Sequence, residues 1–157
     1  MKFTVYEMKT DIANIDGNIG IRCVPFEKRY FEQYKQIYNE CFFDMRKSLD
    51  IKPYNFLSDY TQIQEKAKDI FLLIDESGLI IGSVACYGNE IDDLFVNKRF
   101  QGRGFGRKLL LWGINHIRAK SFAPIYLHVA EWNKRAVTLY KSVGFTVSKR
   151  EIITIQI

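Results

Sequence analysis

Residues 96–110 read VNKRFQGRGFGRKLL. The apolar run Leu94-Phe95-Val96 ends here in a short polar loop. Three glycines follow within five residues, Gly102, Gly104 and Gly106, and an apolar pattern at helical spacing comes next. Glycine inside a helix costs about 0.5–1 kcal/mol relative to alanine, so three in succession need a reason. They let backbone N–H groups converge, and they let a ligand approach without Cβ atoms in the way. The helix behind them turns its N-terminal N–H groups and the positive end of its dipole to the same point. Arg103, Arg107 and Lys108 add positive charge. The physical reading is an anion site between a strand end and a helix start, for a phosphate or pyrophosphate; the plainer alternative is a glycine-rich turn with no ligand.

Spacing separates the known anion loops. The dinucleotide pattern G-x-G-x-x-G fails, because counting from Gly102 and Gly104 puts Arg107 where the third glycine belongs. The P-loop fails at its last three positions. Arg103-Gly104-Phe105-Gly106 matches the first half of an RNA-recognition signature, but Arg107-Lys108-Leu109-Leu110 stands where F-V-x-F/Y is required. What remains is Gln101-x-x-Gly104-x-Gly106 after a strand ending in Val96. This loop resembles the Q/R-x-x-G-x-G/A loop of the GCN5-related N-acetyltransferase (GNAT) superfamily, in which it holds the pyrophosphate of coenzyme A. A second stretch, Asn133-x-x-Ala136-x-x-x-Tyr140-x-x-x-Gly144-Phe145, matches all five positions of another motif of that family, in the expected place. The resemblance covers roughly Phe71 to Phe145; the N-terminal third agrees only in the order of its elements.

The chain of 157 residues suits one domain over 1–157 with a single core, and at 47% hydrophobic and 15% aromatic it can fill that core. No window is apolar enough to span a membrane, and MKFTVYEMKTDI does not read as a secretory signal. Cys23, Cys41 and Cys86 are odd in number and lie in apolar segments, which suggests buried thiols and a cytoplasmic, reducing setting. His116 and His128 have no ligand-like spacing, so no metal is expected. The balance of 23 basic and 18 acidic residues gives +5, which suits a polyanionic cofactor as well as nucleic acid. No run of five like charges appears, and neither a nucleic-acid nor a membrane partner is expected.

Periodicity predicts the elements in order. Residues 3–8 and 19–24 read as strands joined by a turn-rich connector. Tyr30, Phe31, Tyr34, Ile37, Tyr38, Cys41 and Phe42 make the apolar face of a helix, and 43–53 reads as irregular. Asp59 with Gln62 is a capping box for a short helix over 60–67. Strands follow at 70–75, 79–87 and 90–96. A helix after the glycine loop turns Phe105, Leu109, Leu110, Trp112, Gly113, Ile114 and Ile117 to the sheet and Arg107, Lys108, Asn115 and Arg118 away. A strand at 125–129, a helix at 133–143 closed by Gly144, and strands at 145–148 and 151–157 complete the chain. This order suits an α+β fold, a three-layer sandwich on a mixed, mostly antiparallel twisted sheet of about seven strands with helices on both faces. The resemblance implies the same acyltransferase fold, with the strands 90–96 and 125–129 splayed beyond the loop to seat the thioester.

The resemblance also implies a chemistry: acetyl transfer from acetyl-CoA to a primary amine of a small molecule or protein, by direct attack in a ternary complex. The backbone of Gln101, Gly102, Arg103, Gly104, Phe105, Gly106 and Arg107 would surround the pyrophosphate. Leu94 N–H would stabilise the carbonyl oxygen, and the Phe95-Val96 backbone would pair with the pantetheine arm. Asn133 would bind the cofactor, although it also reads as a plain N-cap. Tyr140 would serve the leaving thiolate as acid or hydrogen-bond donor, the role its motif position favours over the plainer reading of a core tyrosine with a satisfied hydroxyl. A lysine-like amine, with a pKa near ~10.4, must shed a proton. The bases offered are Glu90, which stands six residues before Val96 as in the histone-modifying branch, Asp92 through a water, Asp93, or a water chain. By strict alternation Glu90, Asp92 and Leu94 share a face and Asp93 points away. In the family the N-terminal helices wall the acceptor pocket, here at Phe42, Phe43, Asp44, Arg46 and Tyr54. A catalytically silent acyl-CoA-binding module is the alternative on the same fold. Ile153, Ile155 and Ile157 form an apolar terminal strand, so the chain is expected as a monomer or homodimer.

Overall fold

The structure, a computed structural model, describes residues 2–15, 17 and 19–155. Seven strands form one open sheet: β1 (Lys2–Thr10), β2 (Val24–Pro25), β3 (Ile70–Ile74), β4 (Ile80–Tyr87), β5 (Glu90–Val96), β6 (Ile125–Ala130) and β7 (Thr146–Thr154). Their order across the sheet is β2-β3-β4-β5-β6-β1-β7, antiparallel throughout except for β5 beside β6. Helix α1 (Phe31–Ser48) covers one face; α2 (Phe105–Arg118) and α3 (Lys134–Val143) cover the other. The expected mixed sandwich is therefore present.

Two apolar clusters, one per face, hold the layers together. On the α1 side Phe31, Tyr34 and Ile37 pack on Ile70, Leu72, Ile80, Ala85 and Phe95. On the other side Leu109, Leu110, Ile114 and Ile117 of α2, with Val137 and Tyr140 of α3, pack on Met8, Val84, Ile91, Ile125, Leu127 and Val129. Gly82 allows the closest approach: a Cβ there would lie 2.6 Å from Leu109 Cδ1 and 2.7 Å from the Phe95 carbonyl oxygen.

Several sequence boundaries shift, each for a physical reason. Within 19–24 only Val24 joins the sheet, and it continues into Pro25 at the edge. Ile12, Ile15 and Ile21 bury against the α2-side cluster instead, and Asn115 clamps the Ile15 backbone by accepting from its N–H (2.6 Å) and donating to its carbonyl (3.2 Å). Helix α1 continues through the stretch read as irregular, because Phe42, Met45 and Leu49 prolong the apolar spacing; it closes where Leu49 N–H meets the Met45 carbonyl (2.9 Å). The Asp59–Gln62 capping box forms, but it heads only a single-turn 3-10 helix, Tyr60–Gln62, and a second turn lies at Ala67–Asp69. The two C-terminal strands are one, β7, because the charged residues at 149–151 face solvent on an edge strand without breaking it. Ile157 and the end of the proposed terminal strand lie outside the described residues. Arg118, placed on the outer face of α2 by periodicity, is 3% exposed. Its Nε donates to the Ile12 carbonyl (2.7 Å) and its Nη1 to those of Ser121 (3.1 Å) and Ala123 (2.6 Å).

Candidate active site

Between β5 and β6 the pairing is a single bridge, Glu90 with Tyr126, supported by Tyr126 N–H donating to the Asn89 carbonyl (2.9 Å). Beyond it the strands run on to Val96 and Ala130 without pairing, and a cleft of about 750 Å³ opens between them. Asn97 N–H donates to the Ile81 carbonyl (2.8 Å), across β4. By strand alternation the N–H group of Val96 points the other way, into the gap.

The glycine loop closes one end of this cleft. Gly102 (φ +80°) and Gly104 (φ +85°) occupy the left-handed region that disfavours any Cβ, and a side chain at either would meet open space. Gly106 lies in the first helical turn without positive φ, and a Cβ there would make only ordinary contact with Leu139 and Val96 (3.7 and 3.8 Å). The first backbone bond across the start of α2 runs from Lys108 N–H to the Gly104 carbonyl (3.2 Å), which leaves the N–H groups of Phe105, Gly106 and Arg107 without an intrahelical acceptor. No side chain caps them. Asn97, 5% exposed, fixes the turn: its Oδ1 accepts from Arg99 N–H (3.1 Å) and its Nδ2 donates to the Ile80 carbonyl (3.0 Å). Gln101 Nε2 donates to the Val96 carbonyl (2.9 Å), and Arg107 Nη1 donates to Ser142 Oγ (3.0 Å), tying the loop to β5 and to α3.

A β-bulge shapes the floor of the cleft. The register advances from Ser83↔Phe95 to Ala85↔Asp92, so β5 carries one extra residue, and Asp93 sits at φ +45°. Ile91 packs in the α2-side cluster and Phe95 in the α1-side cluster, although regular alternation would put both on one face. The expectation that Glu90, Asp92 and Leu94 share a face therefore fails, because Leu94 turns to the α2 side. Asp93 accepts from Tyr38 Oη (3.4 Å) and Tyr87 Oη (3.2 Å), with Lys66 Nζ at 3.8 Å; these contacts occupy it. Asp92 lines the cleft and stays open to solvent along it. Crowding by the surrounding protein, then the charges of Asp93 and Glu90, push its carboxyl up to about 6.

A loop of free amides, a parted pair of parallel strands and a bulge thus stand together in one cleft, and the chain matches the acetyltransferase (GNAT) family over residues 31–145. It belongs to that family. A mycothiol acetyltransferase of Streptosporangium roseum is 48% identical over 46 residues, 29% of this chain and 14% of that one. Another, of Thermobifida fusca, is 34% identical over 79 residues, 50% of this chain and 24% of that one. The chain thus spans less than a third of the length of these curated relatives. The solved structure of an acetyltransferase from the GNAT family of Colwellia psychrerythraea superposes with a TM-score of 0.73 at 13% identity, covering 97% of this chain and 55% of that one; that likeness is one of fold.

Within the GNAT frame, the expected loop residues, Leu94, Phe95, Val96, Asn133 and Tyr140 gather around one cleft, with Arg103 beside it, its guanidinium 5.5 Å from the Phe100 ring centre. Asn133 does cap α3, its Oδ1 accepting from Ala136 N–H (3.2 Å), while its Nδ2 remains free of side-chain partners among the described residues. Tyr140 is 9% exposed, and its hydroxyl has no hydrogen-bond partner among the described residues. Burial, and then the charge of Asp92, push the phenol up to about 12. Glu90 is engaged by a residue that spacing did not single out: His128 Nδ1 lies 2.9 Å from Glu90 Oε1. Only strand pairing could have found His128, since it sits on β6 beside the bridge. Of the expected acceptor wall, Phe42, Asp44 and Arg46 line the cleft, whereas Phe43 and Tyr54 pack on each other instead (ring centres 6.0 Å apart).

Proposed function

We propose that this chain is an acetyl-CoA-dependent N-acetyltransferase that moves the acetyl group to a primary amine by direct attack, with donor and acceptor bound together. The observation that carries the reading is the unpaired length of β5 and β6, with unpartnered loop amides at one end and the free Tyr140 hydroxyl beside it. The residues present fit the cofactor: the loop offers backbone donors, positive charge and open space where a diphosphate would lie. When bound, acetyl-CoA supplies an activated acyl group on a thiol leaving group.

The protein's own contributions follow. The loop amides from Gly102 to Arg107 and the Asn133 side chain would hold the diphosphate end, and the Val96 N–H in the gap would fix the arm, so that reaction becomes effectively intramolecular. Leu94 N–H donates to the carbonyl oxygen as negative charge grows on it. Asp92 takes a proton from the incoming ammonium, and Glu90, tied to His128, shapes the charge beside it. Tyr140 Oη, kept protonated by its raised pKa, donates to the departing sulfur. A cytoplasmic setting, no nucleic-acid or membrane partner, and a monomer or homodimer complete the proposal; among the described residues no helix is long and apolar enough to cross a membrane. The test is calorimetric titration with coenzyme A, followed by thiol release from acetyl-CoA with a panel of amines. Binding with amine-dependent thiol release supports the reading. Binding without turnover on any amine identifies a silent acyl-CoA-binding module instead.

A further inference from the structure

The α1 side of the cleft differs in character from the loop side. Its walls are Phe42, Met45, Leu49 and Ile51 on one flank and Phe3 and Val5 of β1 on the other. The polar groups around them are already engaged. Arg46 Nη1 donates to the carbonyls of Ile51 (3.5 Å) and Pro53 (3.2 Å), and its guanidinium lies over the Phe56 ring, 4.4 Å from the centre. Asp50 accepts from Tyr54 Oη (2.5 Å), and Asp44 lies 3.9 Å from Lys98 Nζ. Asp93 is held by two tyrosines and Glu90 by His128. Asp92 is different. Its one hydrogen bond among the described residues comes from the neighbouring Asp93 N–H (2.7 Å), and it has no ion pair there.

This is an apolar slot with a single unpaired carboxylate at its floor. Resting on the acetyltransferase reading, we infer that the acceptor is a small primary monoamine on an aliphatic or aromatic body. Its nitrogen sits at Asp92 and its body lies along Met45 and Leu49. A second ammonium, as in a diamine or polyamine, would lie against apolar walls whose other carboxylates are already shared, Asp44 with Lys98 and Asp93 with two tyrosines, and would lose its hydration largely uncompensated. The carboxylate of a free amino acid would meet Asp92 at the floor.

The experiment measures kcat/KM at saturating acetyl-CoA for straight-chain alkylamines of increasing length, phenylalkylamines, diamines of matched length, free amino acids, and short peptides with apolar N-terminal residues. For the monoamines kcat/KM should climb roughly three- to fourfold per methylene until the slot is full, the factor expected from burying each CH₂. Matched diamines should fall at least about tenfold below, since a single desolvated polar group costs more than a factor of ten. Met45→Glu places a second carboxylate on the wall at a half-buried helical position that tolerates it, and should narrow that gap about tenfold with an unchanged melting temperature. Diamines, amino acids or peptides acetylated better than matched monoamines would overturn the acceptor assignment, as would an unaltered ratio in Met45→Glu. Coenzyme A binding with no transfer to any amine would instead overturn the acetyltransferase reading beneath it.

Discussion

His128 Nδ1 lies 2.9 Å from Glu90 Oε1, while its Nε2 lies 3.7 Å from Glu7 Oε1, so one imidazole links three adjacent strands, β5, β6 and β1. Both ring nitrogens face carboxylates, and Ser148 Oγ donates to the far oxygen of Glu7 (2.8 Å). A glutamate held in such a chain is a poor free base, and the cleft-facing Asp92 takes that role. Asp92→Asn should lower kcat/KM about 10²-fold or more, within the range general bases supply, while Glu90→Gln and His128→Gln should cost less than about tenfold. Steady-state kinetics on the three variants decides between the two carboxylates.

The pH dependence follows from the same assignment. With its carboxyl raised to about 6, Asp92 is protonated below that value and inactive as a base, so kcat/KM should rise with pH through about 6. Asp92→Asn should remove that inflection and leave the acceptor's own ammonium, which titrates near ~10. The stability sign is opposite. A carboxyl whose folded pKa lies above its unfolded value favours the folded state when protonated, and that contribution is lost as pH rises from the unfolded value to about 6. Asp92→Asn should therefore melt at a higher temperature than the parent protein at pH 7, with the difference shrinking below pH 4; thermal melts across pH test it.

Tyr140→Phe removes a hydroxyl with no hydrogen-bond partner among the described residues and keeps a ring that packs edge-on against Phe145 (6.2 Å between centres). Stability and coenzyme A affinity should scarcely change, while kcat falls about 10²-fold. With the phenol near 12, no falling limb from its ionisation should appear below about pH 11. A wild-type kcat in this variant would remove Tyr140 from the mechanism.

The parts of the site legible in the sequence were those where one residue type answers one local demand. Gly102 and Gly104 are needed for positive φ, Asn133 for a cap, and Gly144 (φ +115°) for a helix stop. What escaped depends on partners distant along the chain. Alternation assumes a regular strand, and the bulge at Asp93-Leu94 breaks it because β4 offers one residue fewer. His128 finds Glu90 only through the parallel bridge. Arg118 reads as a surface residue until the 11–15 segment folds over it. Residues 19–24 alternate like a strand, yet Ile21 serves as a lid on α2 instead.

Arg118 gives a stability test remote from the cleft. Its guanidinium serves three carbonyls at the C-terminal end of α2, binding the 11–15 segment and the turn before β6. Arg118→Met keeps much of the volume but strips the half-buried Ile12 and Ser121 carbonyls of their donor, at about 1–3 kcal/mol for such a group, while the Ala123 carbonyl keeps Asn89 Nδ2 (3.1 Å). Urea unfolding should show a loss of about 3 kcal/mol with the slope unchanged. Arg118→Lys should recover only part of it, since one ammonium cannot span the positions of a planar fork.

The glycine loop is tested by charge against shape. Gly104 sits at φ +85°, so any side chain there carries strain of roughly 1–2 kcal/mol, but a Cβ meets no atom within 4 Å. Gly104→Ala and Gly104→Asp should therefore both fold, with similar modest losses in melting temperature. They should differ in binding. The alanine methyl stands in open space and only narrows the approach of a ligand, whereas the aspartate sets a negative charge where the diphosphate must lie and offers its own oxygens to the N–H groups of Phe105, Gly106 and Arg107. Calorimetry should find coenzyme A affinity reduced in Gly104→Ala and abolished in Gly104→Asp. Equal affinity in the two would mean that the loop recognises shape alone and that no diphosphate rests on the start of α2.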